Sequence, residues 1–432
     1  MKNLLLIAAS IIFLSLNAFT QEGWIDQTPP SPLPGLYGVY AIDSDNIWAV
    51  GEEGTIIHSI NGGETWDLIP VGTMENLYTV EFINSDTGWV AGHDDGVGTT
   101  VLRTTDGGLN WEEQSLTGGG ALNMYDLDFI EGPTDEPMRG FITGDLGYTW
   151  RTEDFGTYWD PVRNQCENTF WSCCFVNKDI GWFVGEPSVA EPYTIMHTAD
   201  GGETWQEQTN PTERNLRGVC FGADQKGIAV GLVGTIIYTS DGGANWEASS
   251  GGGFKRWESV YLTETGKAWA VGADGNIAYS TDWGYSWETQ ESGMPVGLEL
   301  WEVYFINDNE GWIVGGGLAQ PGIILHTTNG GVITGVNEHN NNVDKKYVLE
   351  QNYPNPFNSS SQISYRLNQS GHITLTILDL LGMEVQILVN EFQTAGNYSV
   401  NFDGTNLASG VYHYQLKVGN DIVESKKMML MK

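Results

Sequence analysis

The chain has 432 residues and carries 55 acidic against 19 basic side chains, a net charge of −36. Nearly all of this excess lies in residues 21–343, which hold 47 acidic and 11 basic residues, so the surface would repel phosphate and excludes nucleic acid as a partner. Abundant glycine (56) and tryptophan (17), with only 17% charged residues, describe a turn-rich, aromatic-rich β protein.

Met1-Lys2-Asn3 is followed by an apolar run from Leu4 to Leu16 and then by the small residues Ala18 and Thr20. This reads as a secretory signal peptide over residues 1–20, cut before Gln21 or after Ala18. The run is too short to span a bilayer comfortably, and no later stretch is apolar enough to do so.

From residue 59 onward, one pattern recurs seven times: Ser/Thr-x-Asp/Asn-x-Gly-x-x-Trp, starting at Ser59, Thr104, Thr152, Thr198, Thr239, Ser280 and Thr327. Its acidic or amide positions are Asn61, Asp106, Asp154, Asp200, Asp241, Asp282 and Asn329. Its tryptophans are Trp66, Trp111, Trp159, Trp205, Trp246 and Trp287, with Thr334 at the seventh. Each copy follows a glycine-ended strand such as Trp48-Ala-Val-Gly51 and, before that, an apolar strand such as Leu77-Tyr-Thr-Val-Glu-Phe82. Four short strands, A to D, in a unit of 41 to 48 residues match one propeller blade. The Asp or Asn is expected to hydrogen-bond backbone two residues on, and the glycine to supply a backbone shape that other residues resist. A feature repeated seven times is structural, since a reaction centre needs one site.

The segment Trp24-Ile-Asp-Gln-Thr-Pro29 reads like Trp205-Gln-Glu-Gln-Thr-Asn-Pro211, so residues 23–28 supply strand D of blade seven and Trp24 replaces the missing tryptophan. This predicts an all-β, seven-bladed β-propeller over residues 21–334, closed by an N-terminal strand with no open edge.

In the frame of the repeat, the second residue of strand A is Tyr37, Tyr78, Tyr125, Trp171, Arg217, Glu258 and Trp301 around the ring. These are candidates for a ligand-binding collar at the channel mouth, because aromatic faces stack on flat apolar groups. Asp94 and Asp95 in an acidic B–C loop are further candidates, and the D–A loops add Arg163, Arg214, Lys255 and Arg256. Strand parity opposes the collar: Tyr78 shares a face with Val80 and Phe82, which argues for packing between blades. His58, His197 and His326 share one strand-C position, a packing pattern and no metal site; neither metal nor cofactor is implied. Cys174 and Cys220 align on strand A of neighbouring blades and could form a bridge, Cys173 points to the other side of its strand, and Cys166 lies in a loop. Four free thiols are the alternative.

Residues 335–346 are polar and aperiodic, a linker. From 347 to 432 apolar and polar residues alternate, as in Ile373, Leu375 and Ile377 against Thr374 and Thr376, which predicts a small immunoglobulin-like β-sandwich.

The Ser/Thr-x-Asp repeat resembles the Asp-box (BNR) repeats of sialidases, sortilin-type receptors and xyloglucanases. In the order of its three segments it is most similar to the photosystem II assembly and stability factor propellers, whose arginine-rich patch is reduced here to Arg217. The tail, with Asn352-Tyr353-Pro354-Asn355-Pro356-Phe357 and the late Ser409-Gly-Val-Tyr412, resembles the type A sorting domain of the type IX secretion system. That resemblance implies a Gram-negative bacterium, type IX machinery as a partner, and delivery to the outer surface or beyond. No Gly-x-Ser-x-Gly, His-Glu-x-x-His, phosphate loop or Arg-Ile-Pro occurs. The expected function is non-enzymatic binding or scaffolding of an extracellular protein or glycan. The alternative is a glycoside hydrolase, for which carboxylates converging in a pocket with aromatic walls would speak.

Overall fold

The computed structural model describes residues 23–29, 32–93, 100–116, 122–130, 138–163, 167–188, 193–222, 225–250, 255–295, 297–317 and 320–332, then 347–349, 352, 354–355, 357–367, 369–378, 384–405, 407–418 and 421–432. The chain separates into two compact units, Met1–Gly335 and Val336–Lys432.

In the first unit, the described residues form seven four-stranded antiparallel sheets, each in the order A-B-C-D. The A strands are Leu36–Ala41, Leu77–Phe82, Met124–Ile130, Thr169–Phe175, Leu216–Phe221, Trp257–Leu262 and Leu300–Phe305. They line a central lumen. Each B strand is buried on both faces, Ile47–Gly51 and Gly227–Gly231 being examples, which is why these runs read as continuously apolar.

Neighbouring blades are joined by aromatic stacking. The strand-B aromatic of one blade lies flat on the strand-A aromatic of the next: Trp48 on Phe82 at 4.6 Å, Trp89 on Phe129 at 3.9 Å, Trp182 on Phe221 at 3.5 Å and Trp269 on Phe305 at 3.7 Å. The repeat tryptophan meets the same ring edge-on, as with Trp111 and Phe82 (6.0 Å, 86°) or Trp246 and Phe221 (5.8 Å, 86°). Trp24 meets Phe305 in the same way at 5.9 Å and 83°. Ile25–Asp26 pairs with Gln320–Thr327, Ile25 opposite His326 and Asp26 opposite Leu325, and Gln27 N–H donates to the Ile324 carbonyl at 2.9 Å. The N-terminal strand therefore closes the ring.

The repeated turn is organised by its hydroxyl. In blade two, Thr104 Oγ1 donates to Asp106 Oδ1 at 2.9 Å and accepts the buried Gly108 N–H at 2.9 Å, while Asp106 Oδ1 accepts Asn110 N–H at 2.9 Å. The carboxylate thus reaches four residues on, farther than the two expected from sequence; the Ser or Thr hydroxyl fills the space between. Gly108 has φ +81°, and a Cβ there would fall 2.2 Å from the Trp48 ring, so both backbone shape and close approach require glycine. Hydrogen bonds donated first by Asn110, Thr204 and Asn245 hold the Asp106, Asp200 and Asp241 carboxyls below their usual range.

The second unit contains two antiparallel sheets around one core. Tyr347–Leu349, Ser360–Leu367 and Gly396–Asp403 form the first; Glu384–Gln393, Gly371–Leu378, Gly410–Val418 and Asp421–Leu430 form the second. Ile373, Leu375, Ile377, Tyr414 and Leu416 are fully buried in that core. The Asn352 side chain donates to Ser361 Oγ at 2.8 Å, and Asn355 Oδ1 accepts Met429 N–H at 2.8 Å. Phe357 exchanges backbone hydrogen bonds with Met429 and Met431, both at 2.9 Å. Asn355 and Phe357 thus tie down the final strand; Pro354 contributes its carbonyl to Ser361, while Tyr353 and Pro356 lie outside the described residues.

Candidate functional site: the channel mouth and lumen

In all seven blades the A–B register slips at one position. Leu36 pairs with Gly51 and Gly38 with Val50, leaving Tyr37 as the extra residue. Tyr78, Tyr125, Trp171, Arg217, Glu258 and Trp301 are the extra residues of the other blades. A bulge re-aims a side chain. Val80 and Phe82 remain buried between blades, while Tyr78 and Glu81 turn to the lumen. The parity argument for core packing therefore fails, because parity counts on an uninterrupted pleat.

Six of the seven residues form a continuous run of contacts. Trp301 meets Tyr37 at 5.5 Å, Tyr37 meets Tyr78 at 5.4 Å, Tyr78 meets Tyr125 at 5.5 Å and Tyr125 meets Trp171 at 4.0 Å between ring centroids. The Arg217 guanidinium lies 3.8 Å over Trp171. Arg256 joins the seventh, Glu258, to this run: it pairs with Glu258, lies 5.8 Å over Trp301, and pairs with Glu299 at 2.8 Å. Sequence reasoning placed Arg256 in a loop and missed this bridging role. The first residues after strand B anchor the tyrosines, Glu52 accepting the Tyr37 hydroxyl and Asp145 that of Tyr125, each at 2.9 Å. Burial, reinforced by these carboxylates, raises both phenol pKa values. Asp94 and Asp95 lie outside the described residues.

The collar and the strand-A residues beneath it line a lumen of about 600 Å³. Two further tiers line it, and sequence reasoning overlooked their acidic members. Asp126 and Glu302 sit one residue below the collar, and Glu81 and Asp128 two residues lower. Strand A is the innermost strand, so its lumen-side N–H groups lack a ladder partner, and an unpaired buried donor costs about 1–3 kcal/mol. Side chains of the preceding blade supply the acceptors. Asp126 accepts Cys173 N–H at 2.9 Å, Asp128 accepts Phe175 N–H at 2.5 Å and Glu81 accepts Phe129 N–H at 3.1 Å. Cys174 Sγ accepts Phe221 N–H at 3.2 Å. Glu302 instead accepts the Ser259 hydroxyl at 2.7 Å. Burial pushes the Glu302 carboxyl up to about 8, with the Asp126 charge adding to it, and burial lifts Asp126 to about 6. Glu81 and Asp128 are raised by burial and by repulsion among the acidic neighbours. The signal that could have revealed them was acidic residues at inward positions of strands that are otherwise apolar.

Cys174 and Cys220 are free thiols here, so the possible bridge is not formed, and Cys173 is buried on the opposite side; Cys166 lies outside the described residues. His58, His197 and His326 stack on the cross-strand Trp48, Trp182 and Trp312 at 3.8, 5.0 and 4.7 Å. Burial lowers all three imidazole pKa values.

The architecture is that of an Asp-box β-propeller followed by a sorting sandwich. Residues 351–431 match the secretion system C-terminal sorting domain, which marks the chain for type IX export to the cell surface or beyond. Residues 5–97 and 120–209 match the family of the photosynthesis system II assembly factor YCF48. The photosystem II stability/assembly factor HCF136 of Arabidopsis thaliana is 31% identical over 101 residues, covering 22% of this chain and 23% of its own. Its counterpart in Oryza sativa subsp. japonica is 36% identical over 62 residues, 14% of this chain and 15% of its own. The chain thus matches less than a quarter of either relative's length. Among solved structures, YCF48 bound to D1 peptide superposes with a TM-score of 0.58 at 20% identity, over 73% of this chain and 100% of that one. YCF48 from Cyanidioschyzon merolae gives 0.55 at 18% identity, over 70% and 98%. At these identities the likeness to solved structures concerns the fold.

Proposed function

We propose that this protein is a non-enzymatic binding or scaffold propeller, carried outward from a Gram-negative cell by the type IX machinery, that holds an extracellular ligand at the collar of its channel mouth. One observation carries the reading: a bulge at the same place in all seven blades turns seven side chains, five of them aromatic, toward the mouth of one lumen. That YCF48, a solved propeller of similar fold, is bound to D1 peptide supports binding as the activity of this propeller. The signal peptide over residues 1–20 is part of this proposal. The propeller, lacking residues 347–432, is expected to fold but to stay in the periplasm; normal surface delivery would overturn the export reading. The Tyr125→Ala/Trp171→Ala double variant is expected to lose ligand captured from the culture medium by the parent. Equal capture by both would move the site elsewhere.

The lumen carboxylates favour glycoside hydrolysis as a second reading, since Glu302, held protonated near neutrality, has the character of a general acid. Turnover of a fluorogenic glycoside panel, abolished in Glu302→Gln, would replace the binding reading by this one.

A further inference from the structure

We propose that the lumen beneath the collar binds a linear alkyl polyammonium ion, a free polyamine threaded along the channel axis. This rests on the collar being the ligand entrance.

A lumen of about 600 Å³ falls within the range of small-molecule sites, about 300–1,000 Å³. Its entrance is a ring of aromatic side chains, and such faces attract cations. The structure contains an example in Arg217, whose guanidinium lies 3.8 Å over Trp171. The tyrosines are suited to the same task, because Tyr37 and Tyr125 donate their hydroxyls to Glu52 and Asp145 and their rings gain electron density.

Among the described lining residues, Arg217 is the one cationic side chain, and it is held at the mouth. The carboxylates are Glu258 at the mouth, Asp126 and Glu302 in the middle tier, and Glu81 and Asp128 in the lower tier. At a strand rise of ~3.3 Å per residue these tiers are about 3 and 7 Å apart along the axis. Among the described residues, no three acidic, histidine or cysteine side chains converge to hold a metal ion. Negative charge strung along an axis without converging at a point suits a chain of ammonium groups separated by methylenes. The collar and the lower-tier Tyr40, Tyr261 and Tyr304 provide apolar surface for those methylenes.

Beyond burial, Asp128 and Asp126 raise the proton affinity of Glu81, and Asp126 raises that of Asp128 and Glu302, while among the described lining residues no basic side chain descends to their level. The other titratable groups facing them are Cys173, Cys174, Cys220 and the three tyrosines: burial raises Cys173 and the phenols, while the hydrogen bond between Cys174 and Cys220 raises the first thiol and lowers the second. A bound ammonium chain would displace protons from the carboxyls. Binding should therefore tighten as pH rises, while the ligand remains charged.

The test is titration calorimetry of the full chain with spermidine at pH 5.5, 7 and 8.5. We expect saturable binding with proton release, seen as an enthalpy that depends on the buffer, and about tenfold tighter binding at pH 8.5 than at 5.5. Asp128→Asn and Glu302→Gln keep an acceptor oxygen for Phe175 N–H and the Ser259 hydroxyl and should fold; each is expected to weaken binding about tenfold. Glu112→Gln/Glu113→Gln, on the exposed strand D of blade two, should leave affinity unchanged. No heat with spermidine, or equal affinity in the lumen variants, would overturn the proposal, the latter because it signals adsorption to the acidic exterior. Binding of a lysine-rich peptide without binding of spermidine would also overturn it. Loss of ligand capture in the collar double variant would still uphold the binding reading if spermidine failed.

Discussion

The propeller's two faces use repetition in opposite ways. At the Asp-box turns, backbone and side chains both repeat: hydroxyl, carboxylate or amide, and glycine recur in every blade with nearly the same distances, such as 2.8 Å from Gly63 N–H to Ser59 Oγ and 2.9 Å from Gly243 N–H to Thr239 Oγ1. At the channel mouth the backbone bulge repeats, but its residue is tyrosine three times, tryptophan twice, and arginine and glutamate once each. A side chain that never varies among equivalent positions serves the element they share. One that varies on a fixed backbone serves something that differs around the ring, namely a ligand.

The largest effect should come from the ring's one seam. Deleting residues 23–28 removes the Ile25–Asp26 pairing with Gln320–Thr327, and is expected to abolish the single cooperative unfolding transition. Trp24→Ala alone should cost about 3–5 kcal/mol by urea denaturation, as for other buried tryptophans. Unaltered unfolding of the deletion variant would break the closure account.

A direct contest between the two faces comes next. Thr104→Val leaves the buried Gly108 N–H without its acceptor and should cost about 1–3 kcal/mol. Tyr125→Phe at the half-buried collar removes one bond to Asp145 and should cost about 0.5–1 kcal/mol. The reverse order would mean that the collar is the structural face.

The lumen adds a pH-dependent term. Glu302 has a folded-state pKa of about 8 and Asp126 about 6, against ordinary values of 4.5 and 3.8. Between those limits the folded chain holds more protons than the unfolded one. Stability is therefore greatest near the lower limit and declines as pH rises through 6 and then 8. The Asp-box carboxyls, whose pKa values are lowered, act in the opposite sense, but below this window. The melting temperature should fall from pH 5 to pH 8, and Glu302→Gln should flatten the slope. An unchanged slope would assign it to other groups.

The smallest effect separates a packing thiol from a reactive one. Cys174→Ser keeps an acceptor for Phe221 N–H and should stay within about 0.5 kcal/mol of the parent, whereas Cys174→Ala should lose about 1 kcal/mol or more. A Cys174–Cys220 peptide in a non-reduced digest would overturn the free-thiol state.

Much of this architecture was legible in the amino-acid order. The spacing of the repeated Trp, Gly and Asp gave seven blades, the likeness of Trp24-Ile-Asp-Gln to Trp205-Gln-Glu-Gln located the seam, and alternation around Ile373–Ile377 announced the sandwich. These features are set by contacts near in sequence, where a turn residue or an alternating face carries its own signature. The collar was named but doubted, because a bulge adds no distinctive residue: Leu36-Tyr37-Gly38 and Leu300-Trp301-Glu302 look like ordinary strand, and the slip appears only once strand B is paired beside them. The lumen tiers depended on tertiary structure altogether. Asp126 meets Cys173 N–H across 47 residues, and Glu302 meets Ser259 across 43, so their burial and raised proton affinity exist only when the ring has closed. Local chemistry thus determined the blade, and the convergence of seven inner edges on one axis determined the site.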